Sequence, residues 1–386
     1  MPMGTLPQIR SDTVLPLQDI RVLDFSTLLP GPLASLILAE AGAEVIKVER
    51  PGAGEDMRGY APHVGGESAP FAMLNRGKRA IALDLRAPGA AASLLALAPK
   101  IDVVLEQFRP GVMDRLGLGY EAWRAVKPSI VYCAITGYGQ DGPRAKEAGH
   151  DLNYAARTGL LALTAGADGS PGVPATLAGD IAGGTYPAVM NILLALRRRD
   201  RSGEGCFLDI AMAENLFPFQ FLGLAQGHGE GRWPKPGEGT LTGGSPRYRL
   251  YRTADGRYLA VAALEDKFWQ AFCAIAEVPE ALRDDARDPA ATSAAVAKRV
   301  ASRDAAHWEA ALASSDTCCT VVRTLEEAVR DPHFAARGVF ARQVEVPGHV
   351  LAALPVPVVK ALRTPEASAP APLVGQDNES LGGSQP

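Results

Sequence analysis

Cysteine is scarce and unpatterned in this sequence. The five residues Cys133, Cys206, Cys273, Cys318 and Cys319 are odd in number, and no two stand as CxxC. Zinc ribbons and thioredoxin-type redox sites therefore have no basis, no metal site is expected, and a reducing cytoplasm is the simplest setting. An excess of basic residues is also missing: 39 Lys and Arg stand against 43 Asp and Glu, for a net charge of −4. That argues against a general nucleic-acid binder. No apolar run reaches the ~18 residues of a membrane span. The stretch from Leu28 to Val48 comes nearest, and Pro30, Pro32, Glu40 and Glu44 interrupt it. Residues 1–16 have no continuous apolar core, so no secretory leader is expected. A small-molecule partner remains, with neither nucleic acid nor membrane.

What is present is an ordinary globular composition, 47% hydrophobic and 21% charged over 386 residues. Length alone suggests two domains. Ile20–Phe25 reads as a strand, Pro30-Gly31-Pro32 opens a helix through Glu40, and Glu44–Glu49 reads as a second strand. Strand, helix and strand within about 30 residues make a βαβ unit and imply a parallel sheet. Arg79–Leu83, Val103–Leu105 and Ile130–Ile135 continue the strands, and Pro88–Ala98 reads as a helix. The expected class is α/β, a Rossmann-like large domain with a parallel sheet over residues 1–226. His150 to Phe219 reads as mostly helical, with a long apolar segment Asp180–Arg198. Residues 227–246 are rich in Gly and Pro and read as a linker. A smaller α+β domain follows over 247–332, opening with a hairpin of Tyr248–Thr253 and Tyr258–Ala262. Phe217, Phe219 and Phe221 read as core residues before pocket residues.

Gly137-Tyr138-Gly139-Gln140-Asp141-Gly142 fits the GxGxxG pattern and follows a strand. A dinucleotide fingerprint also needs a helix to begin at once, to hold a pyrophosphate on its N-terminus. Pro143-Arg144-Ala145-Lys146-Glu147 offers no apolar helical face, so a nicotinamide site is not expected. Lys47, Arg50, Arg76, Lys78, Arg79 and Arg109 recur next to strands. At strand ends of an open α/β sheet such cations can hold phosphates, although isolated surface arginines are commoner. The sharpest constellation is His150-Asp151 with Tyr154, and Asp180 further on. A lone His is more often structural, and Asp180 also suits a helix N-cap; both nonetheless stand where loops meet long helices, a favourable place for a site.

Around these residues the sequence resembles the CaiB/BaiF family, the class III CoA transferases. The likeness runs from about Leu15 to Pro365. It rests on Ala43–Gly52, Asn75-Arg76-Gly77-Lys78-Arg79, Phe108–Val112, Thr136–Gln140, Ser202–Gly205 and Asp331–Phe334. The resemblance implies an intertwined homodimer in which the chain from 333 to 386 returns to the large domain. It further implies an acyl-CoA substrate, with coenzyme A bound as part of that substrate and no other cofactor. Lys47, Arg50, Arg76, Lys78, Arg79, Arg109 and Tyr154 become the expected CoA contacts.

Two chemistries occur in the family. Transferases use one Asp as a nucleophile, and Asp180 stands at that motif position. Racemases place a His–Asp pair about the substrate α-carbon. Gly149-His150-Asp151 with Tyr154 is similar to the racemase version, as are Gly243-Gly244-Ser245-Pro246 with Tyr248, and Leu264–Trp269. The Gly243-Gly244 pair is also shorter than the glycine-rich loop of some transferases. The resemblance thus implies α-epimerisation of a 2-methylacyl-CoA, with His150 and Asp180 as acid–base pair, Asp151 beside them and Glu265 supporting His150. CoA transfer between carboxylic acids, with Asp180 as nucleophile, is the alternative.

Overall fold

A computed structural model of the chain describes residues 14–164 and 170–380. Six short segments form one sheet: β1 Arg21–Asp24, β2 Glu44–Glu49, β3 Arg79–Ala82, β4 Val103–Glu106, β5 Val131–Thr136 and β6 Cys206–Ala211. Their order is β3-β2-β1-β4-β5-β6 and every neighbouring pair is parallel. Central strands of such a sheet are covered on both faces, which is why β4 and β5 are buried throughout and read as continuous rather than alternating. Winding reverses between β1 and β4, so the loops at their C-terminal ends part and leave a crevice.

Three helices matter to that crevice. Helix α1, Pro30–Glu40, follows β1 directly; α2 is Asp151–Arg157; α3, Tyr186–Ser202, ends at Gly203 with φ +74°. Strand β6 was not expected, because the sequence around it reads as helical. It is an edge strand only six residues long and its first four positions are partly or fully exposed, so it carries little apolar signal. Phe217, Phe219 and Phe221 are exposed, against the core role expected of them. No helix of the described residues is long and apolar enough to cross a membrane.

Contacts divide the chain into two compact units. One comprises the residues up to Thr158, Thr176–Pro218 and those from His333 onward; the other comprises Gly159–Ala175 and Phe219–Pro332. The second unit has the expected hairpin, β7 Tyr248–Arg252 with β8 Tyr258–Ala262, and adds β9 Cys319–Val321 antiparallel to β8. Helices α4 Asp266–Ile275, α5 Pro289–Val300 and α6 Ala305–Leu312 contribute Trp269, Phe272, Val296 and Trp308 to its core. The stretch read as a linker begins inside a helix, Phe221–Glu230.

The C-terminal segment in the first unit forms a small sheet of β10 Gln343–Val346, β11 His349–Ala352 and β12 Ser368–Pro370. Its tail then closes the exposed edge of β3. Ala80 N–H donates to Asp377 Oδ2 at 2.9 Å, and Ala82 N–H donates to Asn378 Oδ1 at 2.8 Å. Covering an edge in this way blocks pairing with other chains.

Beneath the crevice lies a buried charge cluster. Lys78 Nζ is 3.5 Å from Asp24 Oδ2, and Lys47 Nζ is 3.0 Å from Glu55 Oε1, with every side chain at most 1% exposed. Ser26 and Ser35 donate their hydroxyls to Asp24, and Lys78 donates to Asn75 Oδ1 and Pro32 O at 2.8 and 2.9 Å. Burial pushes the Lys78 ammonium down to about 7, with Asp24 opposing. Burial alone would raise the Asp24 carboxyl, but Lys78, Lys47 and the two serine hydroxyls hold it below its usual value. Buried pairs tolerate joint replacement better than loss of one member. Asp24→Ala strands Lys78 and is expected to cost ~3–5 kcal/mol, read from the urea midpoint. Adding Lys78→Met to that variant restores most of the loss.

Candidate active site

The crevice opens into a cavity of about 430 Å³ lined wholly by the first unit. Its walls come from the loops after β1 (Thr27, Leu28), β4 (Gln107 to Pro110), β5 (Thr136, Gly137) and β6 (Met212), with His150, Asn153, Tyr154 and Asp180. Residues as far apart in sequence as Thr27 and Met212 thus meet at the C-terminal ends of the strands, where open α/β sheets bind ligands.

His150 is placed by the start of α2. It is the N-cap residue, extended at φ −124° and ψ 176°. Its N–H donates to Asn153 Oδ1 at 3.0 Å, and its carbonyl accepts the Asn153 N–H at 2.8 Å. This exchange fixes the chain's entry into the helix and leaves the exposed imidazole at the cavity. Tyr154 Oη donates to Gly149 O at 2.6 Å, closing the loop behind His150. The Tyr154 ring presses on Gly137 so closely that a β-carbon there would lie 2.6 Å from it, so that glycine serves packing. No helix follows the Gly137–Gly142 turn, in line with the sequence reading that it is not a dinucleotide fingerprint.

Asp180 sits in the first turn of a π-helical segment, Gly179–Thr185, that runs into α3. Such wide turns are rare and concentrate at functional sites. Close packing holds this one: a β-carbon on Gly183 would stand 2.2 Å from Met212 O, and Thr185 Oγ1 donates to Pro30 O at 2.8 Å. Asp151, 9% exposed, links the two halves of the site, because the Asp180 N–H donates to its Oδ1 at 2.9 Å. Asp151 therefore acts on Asp180 through position and charge. Burial, reinforced by Asp151 and opposed by His150, pushes the Asp180 carboxyl up to about 6. Burial and Asp180 in turn push the Tyr154 phenol up to about 12.

Of the expected CoA contacts, Arg109 and Tyr154 line this cavity. The expectation that Lys47, Arg76 and Lys78 grip phosphates does not match their placement. Lys47 and Lys78 belong to the buried cluster, and Arg76, 2% exposed, donates to Glu40 Oε1 at 2.8 Å and to Leu354 O at 2.9 Å. Their charges already have protein partners, and the side chains are almost wholly buried. Arg79 pairs with Glu44 and Asp377 at 2.7 and 3.0 Å, while Arg50 pairs with Asp56 at 2.5 Å on the surface. Glu265 is exposed in the second unit, where it precedes α4 and its carbonyl accepts the Phe268 and Trp269 N–H groups. Sequence reasoning passed over Gln107, whose Oε1 accepts the Gly31 N–H at 3.0 Å in the first turn of α1. Its place directly before the Phe108-Arg109-Pro110-Gly111 motif was the available signal.

Known proteins match the family and the fold. The chain matches CoA-transferase family III over residues 17–378. It is 35% identical to human α-methylacyl-CoA racemase (Homo sapiens) across 85% of this chain and 83% of that one. It is 38% identical to the succinyl-CoA:glutarate CoA-transferase of Mus musculus across 72% of this chain and 63% of that one. The crystal structure of a CaiB/BaiF family protein from Brucella suis superposes with a TM-score of 0.82 at 28% identity, covering 95% of this chain and 98% of that one. With a family match over that length and a relative of that identity and coverage, the chain belongs to CoA-transferase family III, the CaiB/BaiF family.

Proposed function

We propose that this member of the family epimerises the α-carbon of a 2-methylacyl-CoA by two-base proton transfer. The observation that carries the reading is the shared cavity: an exposed imidazole and a shielded carboxyl near pKa 6 line one space, and the imidazole's charge acts on the carboxyl. The α-hydrogen of a thioester is too weakly acidic to leave unaided at neutral pH. Its removal needs an aligned base and a donor for the enolate oxygen. Neutral His150 takes the proton from one epimer and protonated Asp180 delivers one to the opposite face. The enzyme then holds imidazolium and carboxylate, the form that turns over the other epimer. At about 6, the Asp180 acid is a minority of roughly a tenth at pH 7, enough to serve as a donor.

The first-turn N–H of Asp151 is the donor assigned to the enolate oxygen. Arg109, exposed at the cavity and without an ion pair among the described residues, takes a CoA phosphate. The thioester carbonyl accepts the developing charge, so the reading calls for no cofactor beyond the CoA of the substrate. A second copy of the chain covers the apolar face that α3 exposes at Tyr186, Met190, Leu193 and Leu194.

Transfer of CoA is the second reading, favoured by the 38% identity to a CoA-transferase. Ionised Asp180 would then attack the thioester carbonyl and expel CoA as thiolate. Incubation of a 2-methylacyl-CoA in heavy water separates the two. Epimerisation loads α-deuterium, and His150→Ala lowers the rate by about 10²–10⁴-fold. CoA moving to free carboxylates without α-deuterium, and a hydroxylamine-trapped acyl group on Asp180, would establish transfer instead.

The raised Asp180 carboxyl also bears on stability. A carboxyl whose folded pKa exceeds its unfolded value costs nothing below the unfolded value, and its full penalty applies above the folded one. From 3.8 to about 6, that penalty is roughly 3 kcal/mol at 1.36 kcal/mol per unit. Asp180→Asn is expected to raise Tm at pH 8 and to change it little at pH 4, measured by calorimetry at both.

A further inference from the structure

Leu28 has φ +61°, a left-handed backbone that a bulky L-residue adopts only when its surroundings impose it. Its surroundings are specific. The Leu28 N–H donates to Glu55 Oε2 at 2.7 Å. The other oxygen of Glu55 stands 3.0 Å from Lys47 Nζ, in an ion pair without hydrogen-bond geometry, and Lys47 Nζ donates to Ser26 O at 2.9 Å. Both charged side chains are at most 1% exposed, so the carboxylate is committed to this loop. A charge-assisted bond in such a setting is stronger than one between neutral groups.

The loop they hold is a wall of the active cavity, since Thr27 and Leu28 line it with His150 and Asp180. Leu28 also packs on the apolar cluster of Leu33, Met57 and Phe71, and Ile181 packs on the same cluster. Met57 is two residues beyond Glu55, and Ile181 follows Asp180. The loop has little slack, because a β-carbon on Gly31 would stand 2.1 Å from Ser26 Cβ. A change at Glu55 therefore reaches Asp180 through Leu28.

We infer that Glu55 is a positioning residue of this site: it holds Leu28 left-handed and thereby sets the wall that faces Asp180. The inference rests on reading the cavity as the reaction site. Released from Glu55, Leu28 relaxes to negative φ and the wall shifts. A misplacement on the ångström scale lowers kcat by about ten- to a hundred-fold while KM moves little.

A double-mutant cycle tests it, with α-deuterium exchange as the assay. Glycine adopts positive φ without strain, so at position 28 it makes the left-handed backbone independent of Glu55. The kcat loss caused by Glu55→Met, which removes the acceptor, is expected to shrink at least about fivefold in a Leu28→Gly background, well beyond the agreement of uncoupled sites. An equal loss in both backgrounds overturns the inference, as does a loss confined to KM. A crystal structure of Glu55→Met gives a readout independent of the reaction. Negative φ at Leu28 supports the inference, and a retained left-handed backbone overturns it, even if the native enzyme shows no α-exchange and the reading of the reaction fails.

Discussion

Four charges without solvent underlie the active end of the molecule. Asp24, Lys47, Glu55 and Lys78 sum to zero and tie together the tip of β1, the strand β2, the approach to β3 and the loop that leads into α1. Ion pairs this deep gain little over apolar packing and are costly to break singly. Their value here is geometric. Apolar side chains would fill the same volume without directing a donor at Ser26 O or an acceptor at the Leu28 N–H. The crevice at the switch point inherits its shape from that cluster.

On this floor the site sets two titratable groups in unlike surroundings. The imidazole of His150 is open to solvent, while Asp180 is half-buried in a wide helical turn and its backbone N–H donates to Asp151. Separating environments is how one site keeps an acid and a base available at the same pH. The same carboxyl illuminates the family's two chemistries. On the reading proposed above, it would donate a proton when neutral and would be a nucleophile when ionised; racemases and transferases stand at similar identity to this chain.

Much of the sheet was legible in the sequence, because central strands announce themselves as short apolar runs between turns. Strand β6 was not, since an edge strand with its first positions exposed lacks that run. The cations misled for a related reason. A strand-adjacent Lys carries the same letter whether it points at a ligand or at a carboxylate 8 or 54 positions away, and only tertiary packing pairs Lys47 with Glu55 or Lys78 with Asp24. His150 and Asp180 stood out where loops meet long helices, and the family likeness then made them a pair. Their meeting depends on the turn at Gly179–Thr185 and on Asp151, neither of which periodicity reveals. The positive φ at Leu28 has no sequence mark at all, because glycine, the residue that would announce it, is absent there.

The tail that closes β3 has a consequence for biosynthesis. The larger unit is assembled from the beginning, the middle and the end of the chain, and its edge strand receives its last partners from Asp377 and Asn378. A ribosome delivers those residues roughly 300 positions after β3. Until they emerge, β3 presents unpaired backbone, and the nascent protein must wait some tens of seconds at ordinary elongation rates of about 5–20 residues per second. The uninterrupted stretch Phe219–Pro332 has no such delay and is free to condense first.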